Sequence, residues 1–277
     1  MTAADLSLRA RAKINLALHV TGRRADGYHL LDSLVVFAEI GDSLEVRPAE
    51  HWSLSVTGPM ADRCPAGDDN LVIRAARATD GPPAAFTLDK HLPIEAGIGG
   101  GTADAAAALH ALRNMDGRAL PADPVRLGAD LPVCLLSRAA RVEGVGEIVK
   151  PVDGLPPIHA VLVNPRVAVS TPTIFNALTR RENAPLPPFP AWPDARALAD
   201  WLGDQRNDLE DPARSVCPAV GVALARIART ESCLLARMSG SGATCFGLYA
   251  SAPEAQMAAA KLTKEHPNWW IRATGLA

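Results

Sequence analysis

Nowhere does the chain hold a run of about 18 or more apolar residues, so no segment has the length to cross a bilayer as a helix. The opening M-T-A-A-D-L-S-L-R-A-R also lacks the apolar core of a secretion signal. Cysteine is sparse and unpatterned. Cys64, Cys134, Cys217, Cys233 and Cys245 are odd in number and form no C-x-x-C pair, which argues against a disulfide framework or a zinc site and suits a reducing cytosol. Neither sign of charge is in surplus. A net charge of -2, with aromatic residues at 4% and no basic stripe interleaved with them, counts against a dedicated nucleic-acid or anionic-membrane binder. No internal repeat is evident. The expectation is a cytoplasmic protein with no nucleic-acid and no membrane partner, acting as a monomer or homodimer.

What the chain does have is bulk and a glycine cluster. At 277 residues, 48% hydrophobic and 21% charged, it is a globular chain long enough for one large or two ordinary domains. Residues 93–108 read P-I-E-A-G-I-G-G-G-T-A-D-A-A-A-A, with Gly97, Gly99, Gly100 and Gly101 running straight into an alanine-rich helix pattern. Glycines clustered before a helix start place unpaired N–H groups and the positive end of the helix dipole in one loop, which suits an anion such as phosphate. A flexible turn before a helix gives the same letters. The loop matches neither standard nucleotide template: no G-K-[ST] closes it, and Thr102 stands where G-x-G-x-x-G, counted from Gly97, needs its last glycine.

Residues 6–20 alternate at period two, with Leu8, Ala10, Ala12, Ile14, Leu16, Leu18 and Val20 on one face and Arg9, Arg11, Lys13, Asn15 and His19 on the other, the pattern of a half-buried strand. Lys13 and Asn15 share a side, as they would on any solvent face. G-R-R-A-D-G at 22–27 is a turn, and Tyr28 and His29 open an apolar run to Ile40 that Gly41-Asp42 punctuates. Leu44 to Val46 and the alternating Trp52, Leu54 and Val56 follow, and this opening third reads as an antiparallel set of strands. Tyr28 and His29 suit a flat base, though ordinary strand-start residues look alike. Asp68-Asp69-Asn70 caps a helix, Ala85 to Leu88 is a strand, and the glycine loop leads into a helix whose first turns carry Thr102 and Asp104. Asp104 either favours the helix dipole or helps hold a metal near phosphates. Asp130, just before Leu131-Pro132, is a helix cap or something more, and residues 139–149 form a hairpin turning at Gly144 to Gly146.

The best candidate linker is D-G-L-P-P at 153–157, which divides the chain at 155/156. Beyond it come a strand at 158–163, a helix from Ser170-Thr171-Pro172, a proline-rich loop at 181–193, a short helix at 195–202 and a longer helical stretch ending near Arg229. Strands at 233–237 and 244–249, a helix at 253–264 and a strand at 269–273 complete an α+β sandwich. M-S-G-S-G-A-T at 238–244 reads as a tight connection between buried strands, since Leu234-Leu235 and Cys245-Phe246 flank it.

K-I-N, A-G-I-G-G-G-T-A-D-A-A and M-S-G-S-G-A-T-C-F together resemble the GHMP small-molecule kinases. So do A-K-I-N-L-A-L-H-V, G-R-R-A-D-G-Y-H-L-L-D-S, D-N-L-V, L-G-A-D-L-P-V-C-L, G-V-G-E, S-T-P-T-I-F and N-D-L-E, in order from residue 10 to residue 246. The resemblance implies an α+β, two-domain GHMP kinase fold. Residues 1–155 would form a ribosomal-protein-S5-domain-2-like domain with the ATP loop and catalytic residues, and residues 156–277 a ferredoxin-like α/β sandwich. It implies transfer of the ATP γ-phosphoryl group to a hydroxyl, and within the superfamily the segments look most like the branch acting on a cytidine-diphosphate-linked methylerythritol. Kinases of homoserine, mevalonate or sugars are the first rivals, an RNA-associated protein of related N-terminal fold the second, and a degenerate kinase-like binder the third.

By this resemblance Asp130 is the general base and Lys13 sits beside it. Pro93, Ala96, Gly97, Ile98, Gly99, Gly100, Gly101, Thr102 and Asp104 bind ATP. Asn15, Tyr28, His29, Thr171 and Phe175 bind substrate, the aromatics stacking on the base. Mg²⁺ would ride on the ATP phosphates, since the loop has no P-loop lysine, with Thr102 as the one candidate protein ligand. Two departures stand out: Thr102-Ala103 replaces the family's pair of serines, and the segment 115–128 is short.

Overall fold

The computed structural model describes residues 6–277, so the first letters of the opening stretch read above lie outside it. The chain divides into two compact units. The first takes residues up to Ala12 with Ile40–Ile94 and Gly99–Ser137, and the second takes Lys13–Glu39, Glu95–Ile98 and Arg138–Ala277. The boundary expected at 155/156 falls inside the second unit. Two long strands, β1 (Leu6–Arg23) and β2 (His29–Pro48), each run from one unit into the other.

In the first unit the far half of β2 pairs antiparallel with β4 (Ala84–Asp89), and β3 (Ser53–Thr57) pairs with β4 in parallel. The expectation of a wholly antiparallel set is corrected there: helix α1 (Leu71–Arg77) lies between β3 and β4, and such a crossover returns the chain in the same direction. Asn70 caps α1 by accepting the Val72 N–H at 2.8 Å. Gly41-Asp42 does not end a strand, and β2 passes straight through it. A Cβ on Gly41 would fall 2.2 Å from the Ala10 carbonyl oxygen, so the glycine is there for close approach of main chain and not for a turn. Helix α2 (Gly100–Asp116) packs against α1 and against α3 (Leu131–Leu136). Its alanines at 103 and 105–108 are all buried. Small side chains there permit close approach of neighbouring helices, and Leu109 and Leu112 are buried beside them.

In the second unit the near half of β2 pairs with β5 (Ala140–Gly144), and β5 pairs with β6 (Ile148–Pro151), the hairpin expected around Gly144. A second group contains β7 (Ile158–Asn164), β8 (Leu235–Met238), β9 (Cys245–Tyr249) and β10 (Trp270–Leu276) in the order β10-β7-β9-β8, antiparallel at every pairing. Helices α4 (Thr171–Asn176), α5 (Ala195–Gly203), α6 (Glu210–Val216) and α7 (Pro218–Ala228) lie between β7 and β8 in sequence, and α8 (Ala252–Glu265) between β9 and β10. That order and connection are those of a ferredoxin-like sandwich. The single long helix expected to end near Arg229 is two, because Pro218 has no N–H to continue α6 and begins α7 instead. Among the described residues no helix is long and apolar enough to cross a membrane.

The β1 strand corrects a further expectation. Lys13, Asn15 and His19 are buried, so the polar face is no solvent face. Residues distant in sequence cover it. Leu18 donates its N–H to the Arg206 carbonyl at 2.8 Å and accepts from the Asp208 N–H at 2.9 Å. The His19 Nε2 accepts the Arg206 N–H at 3.1 Å, which requires the proton on Nδ1, where it meets the Ala184 carbonyl at 3.0 Å. Burial, with Arg206 nearby, lowers the His19 pKa, and the ring is held neutral in one tautomer.

Candidate active site

The glycine stretch is built from both units' chain segments, and each can be followed separately. In the second unit, residues 95–98 lie against the turn between β8 and β9. Thr244 N–H donates to the Ala96 carbonyl at 3.1 Å, Lys13 N–H to the Ile98 carbonyl at 2.9 Å, and the Ser239 hydroxyl to the Gly97 carbonyl at 3.0 Å. The carbonyls of three successive residues are thus taken by the protein. Gly97 has φ +71°, and a Cβ there would stand 2.5 Å from the Ser239 carbonyl oxygen and 2.7 Å from the Gly242 nitrogen. Both the backbone conformation and the space demand glycine. In the first unit, Gly99 is the residue before α2, and the opening N–H groups of that helix have no partner inside it. What the stretch has left to offer a ligand is N–H groups, backed by the positive end of a 17-residue helix.

The 238–244 turn is itself held from behind. Asn207 donates through Nδ2 to the carbonyls of Met238 and Gly240 at 2.8 and 2.9 Å, and Asn164 Nδ2 reaches the Thr244 hydroxyl at 2.9 Å. Arg237, buried just before it, gives its guanidinium to the carbonyls of Leu16, Leu202 and Gln205. Burial pulls the Arg237 pKa down to about 10, still well above neutrality.

Asn15 is fixed by a short relay. The Ser33 hydroxyl has one hydrogen and gives it to the Ala17 carbonyl at 2.6 Å, so the Asn15 atom 2.8 Å from that oxygen must be the Nδ2 donor. The Asn15 N–H donates to the Ser239 hydroxyl at 3.1 Å. The buried Oδ1 has no hydrogen-bond partner. A buried orphan acceptor costs about 1–3 kcal/mol, and an arriving hydroxyl or N–H would relieve it.

His29 stacks on Phe175 with ring centroids 4.7 Å apart and planes inclined by 21°. Its Nε2 is buried and unpartnered. Burial first, then the Arg23 and Arg181 guanidiniums, lower its pKa below the ordinary histidine value, so the ring is neutral at pH 7. The Thr171 and Ser241 hydroxyls meet at 2.7 Å, tying the start of α4 to the 238–244 turn. Tyr28 stands apart from this stack with its ring 63% exposed.

The family models for the GHMP kinases N terminal domain and the GHMP kinases C terminal match residues 70–139 and 189–268. A 4-diphosphocytidyl-2-C-methyl-D-erythritol kinase of Cereibacter sphaeroides is 57% identical over 97% of this chain and 98% of its own length. Another of that name, from Dinoroseobacter shibae, is 54% identical over 96% of this chain and 93% of its own. The chain belongs to the 4-diphosphocytidyl-2-C-methyl-D-erythritol kinase family of the GHMP kinases. The crystal structure of a 4-(cytidine 5'-diphospho)-2C-methyl-D-erythritol kinase superimposes with a TM-score of 0.78 at 34% identity, over 98% of this chain and 99% of that one. Homoserine kinase of Cytophaga hutchinsonii, at 16% identity and a TM-score of 0.66, shares the fold. The protein is an ATP-using small-molecule kinase with the two-domain GHMP fold, as the resemblance implied.

Within that family fold, the remaining expected residues fall in the first unit. Pro93 is buried, and Thr102 is half-buried in the first turn of α2, its hydroxyl 3.7 Å from where a Cβ on Gly128 would lie. The segment leading to Asp130 therefore packs on that turn. Asp130 occupies the position before α3, yet its side chain makes no capping hydrogen bond. Asp104, which the resemblance assigned to ATP, is paired with a lysine of its own unit. It is buried at 2% exposure with Oδ2 on Lys90 Nζ at 2.7 Å, and the same ammonium meets Asp42 Oδ2 at 2.5 Å. Asp42 Oδ1 in turn accepts the N–H groups of His91 and Leu92. Burial raises the Asp104 pKa to about 7, while two carboxylates outweigh burial at Lys90 and keep its ammonium charged. Sequence reading missed Lys90, Asp42, Ser33 and the relay through Ser239. A lysine set in the apolar lead-in to the glycine loop was the available signal for the first.

Proposed function

We propose that the protein transfers the γ-phosphoryl group of ATP to the 2-hydroxyl of 4-diphosphocytidyl-2-C-methyl-D-erythritol. The observation that carries the substrate assignment is the neutral His29, stacked on Phe175 with its Nε2 unpaired. A flat base with a polar edge answers both features, and homoserine, mevalonate and a sugar have no such edge. The names of relatives at 50–57% identity support the same reading.

In this reading the N–H groups between Gly97 and Gly101 and the start of α2 receive the ATP phosphates, with Thr102 closing the loop. Asp130 takes the proton of the acceptor hydroxyl, and the Lys13 ammonium steadies the charge that develops on its oxygen. The Asn15 Oδ1 accepts a hydrogen bond from the substrate. Among the described residues no three His, Cys, Asp or Glu side chains group to hold a metal. Mg²⁺ would be carried on the phosphate oxygens and water, with Thr102 the candidate protein ligand, and would neutralise charge on the nucleotide.

The test is ADP release with 4-diphosphocytidyl-2-C-methyl-D-erythritol, mevalonate, homoserine and galactose in parallel. Turnover is expected with the cytidine compound, and turnover confined to one of the other alcohols would overturn the assignment. Asp130→Asn is expected to lower kcat by about 10²–10⁴-fold, the usual effect of losing a positioned base. Near-native turnover in that variant would leave Asp130 without its role.

A further inference from the structure

Two arginines beside the base pocket are unlike their neighbours. Arg24 pairs with Asp26 at 2.7 Å, Arg206 with Asp208 at 2.8 Å, and Arg141 grips Asp32 through both Nε and Nη2 at 2.8 and 2.6 Å. Arg23 and Arg181 have no carboxylate within ion-pair distance among the described residues. The Arg23 Nε reaches only the Gly27 carbonyl, at 3.2 Å, and the Arg181 Nε is buried with no acceptor at all. Both guanidiniums are near enough to His29 to disfavour its protonation. Positive charge gathered beside a pocket, with a guanidinium nitrogen withheld from water and unanswered by the protein, destabilises the empty protein. It becomes favourable when a multiply charged anion arrives.

A base held by His29 and Phe175 brings its own anion, because the diphosphate is joined to the base through the ribose. We propose that Arg181, assisted by Arg23, binds the diphosphate of the nucleotide-linked substrate and sets a preference for diphosphate over bare nucleoside. This rests on reading His29 and Phe175 as the base pocket. Arginine suits the task, since its planar fork presents two parallel N–H donors to phosphate oxygens and stays charged at any working pH. Arg181 is placed to contribute more, because its Nε is already out of water, whereas Arg23 is exposed and screened.

The experiment is calorimetric titration of the full-length protein with CDP and with cytidine, the ATP site being filled by a non-hydrolysable ATP analogue. Wild type should bind CDP more tightly than cytidine. Arg181→Gln should weaken CDP about tenfold or more while cytidine moves less than about twofold, the loss of one charge-assisted hydrogen-bonding group. Arg23→Gln should show the same pattern to a smaller degree, and Arg181→Lys should recover part of the loss. In steady state, KM for the cytidine substrate should rise in Arg181→Gln while KM for ATP stays in place. The proposal is overturned if Arg181→Gln keeps the wild-type ratio of CDP to cytidine affinity, or if both affinities fall together. Wild type that binds neither CDP nor cytidine would instead remove the base pocket itself, and this inference with it.

Discussion

In each unit one buried polar cluster leaves an oxygen without a partner, yet the two orphans differ in kind. In the first unit Lys90 stands between Asp42 and Asp104, and the spare atom is the Asp104 Oδ1. In the second, Asn15 gives one Nδ2–H to Ser33 and its backbone N–H to Ser239, and the spare atom is its Oδ1. A carboxylate can relieve itself by taking up a proton, and with a pKa raised by burial to about 7 Asp104 is placed to do so. An amide oxygen has no such escape, because nothing near neutral pH protonates it. Its need is met only by a donor brought from outside. One orphan can be relieved by protonation and the other only by a donor, although a count of unsatisfied atoms scores them alike.

The comparison can be broken most forcefully at Lys90. Lys90→Met would leave two buried carboxylates facing each other, and a loss of about 3–5 kcal/mol in unfolding free energy is expected by chemical denaturation. A stability within 1 kcal/mol or so of wild type would show the charges to be dispensable. Ser239→Ala comes next. It deprives both the Asn15 N–H and the Gly97 carbonyl of a partner, and should cost about 1–3 kcal/mol together with a fall in kcat/KM. Asn15→Ala should divide the effects differently, with kcat/KM for the cytidine substrate falling about 10–100-fold while the melting temperature moves only a few degrees. If instead Asn15→Ala chiefly unfolded the protein, its Oδ1 would belong with the structural orphan.

The most discriminating effect is read across pH. The folded state raises the Asp104 pKa from about 3.8 to about 7, so over that interval the native protein binds more protons than the unfolded chain. Stability from this group is therefore fully present below about pH 4 and is lost as pH rises toward 7. Asp104→Asn should flatten that part of the stability profile and match or exceed wild type at pH 8. A profile unchanged by the substitution would mean that Asp104 titrates as an ordinary carboxylate.

How much of this could be read beforehand depended on whether the deciding partner lay nearby in sequence. The α1 cap at Asn70, the hairpin at Gly144 and the elements of the sandwich follow from local letters, and they were legible. Strand order β10-β7-β9-β8 was implied through the resemblance, because no local pattern says which strands become neighbours. The alternation of β1 was legible, but its burial was not, since Arg206 and Ser239 cover it from about two hundred positions away. Gly41 looked like punctuation because the main chain of Ala10 that excludes a side chain there is not its sequence neighbour. At the candidate site, Lys13, Asn15, His29 and the glycines were picked out by residue type and motif. The pairing of Asp104 was not legible, because an aspartate in a first helical turn gives no hint that a lysine fourteen residues earlier lies against it.

The Ser239 hydroxyl carries one more consequence, and it concerns time. This one oxygen joins Asn15, 224 positions earlier, to Gly97, 142 positions earlier. Loops of that length close slowly and return nothing until they are closed, so contacts of this reach form late on the folding route. Collapsed states that have their helices and local hairpins but not this junction would lack the Asn15 acceptor and the seat of Gly97 together. Capacity to bind substrate should therefore return during refolding after most of the helical signal has done so, as one of the last properties the chain acquires.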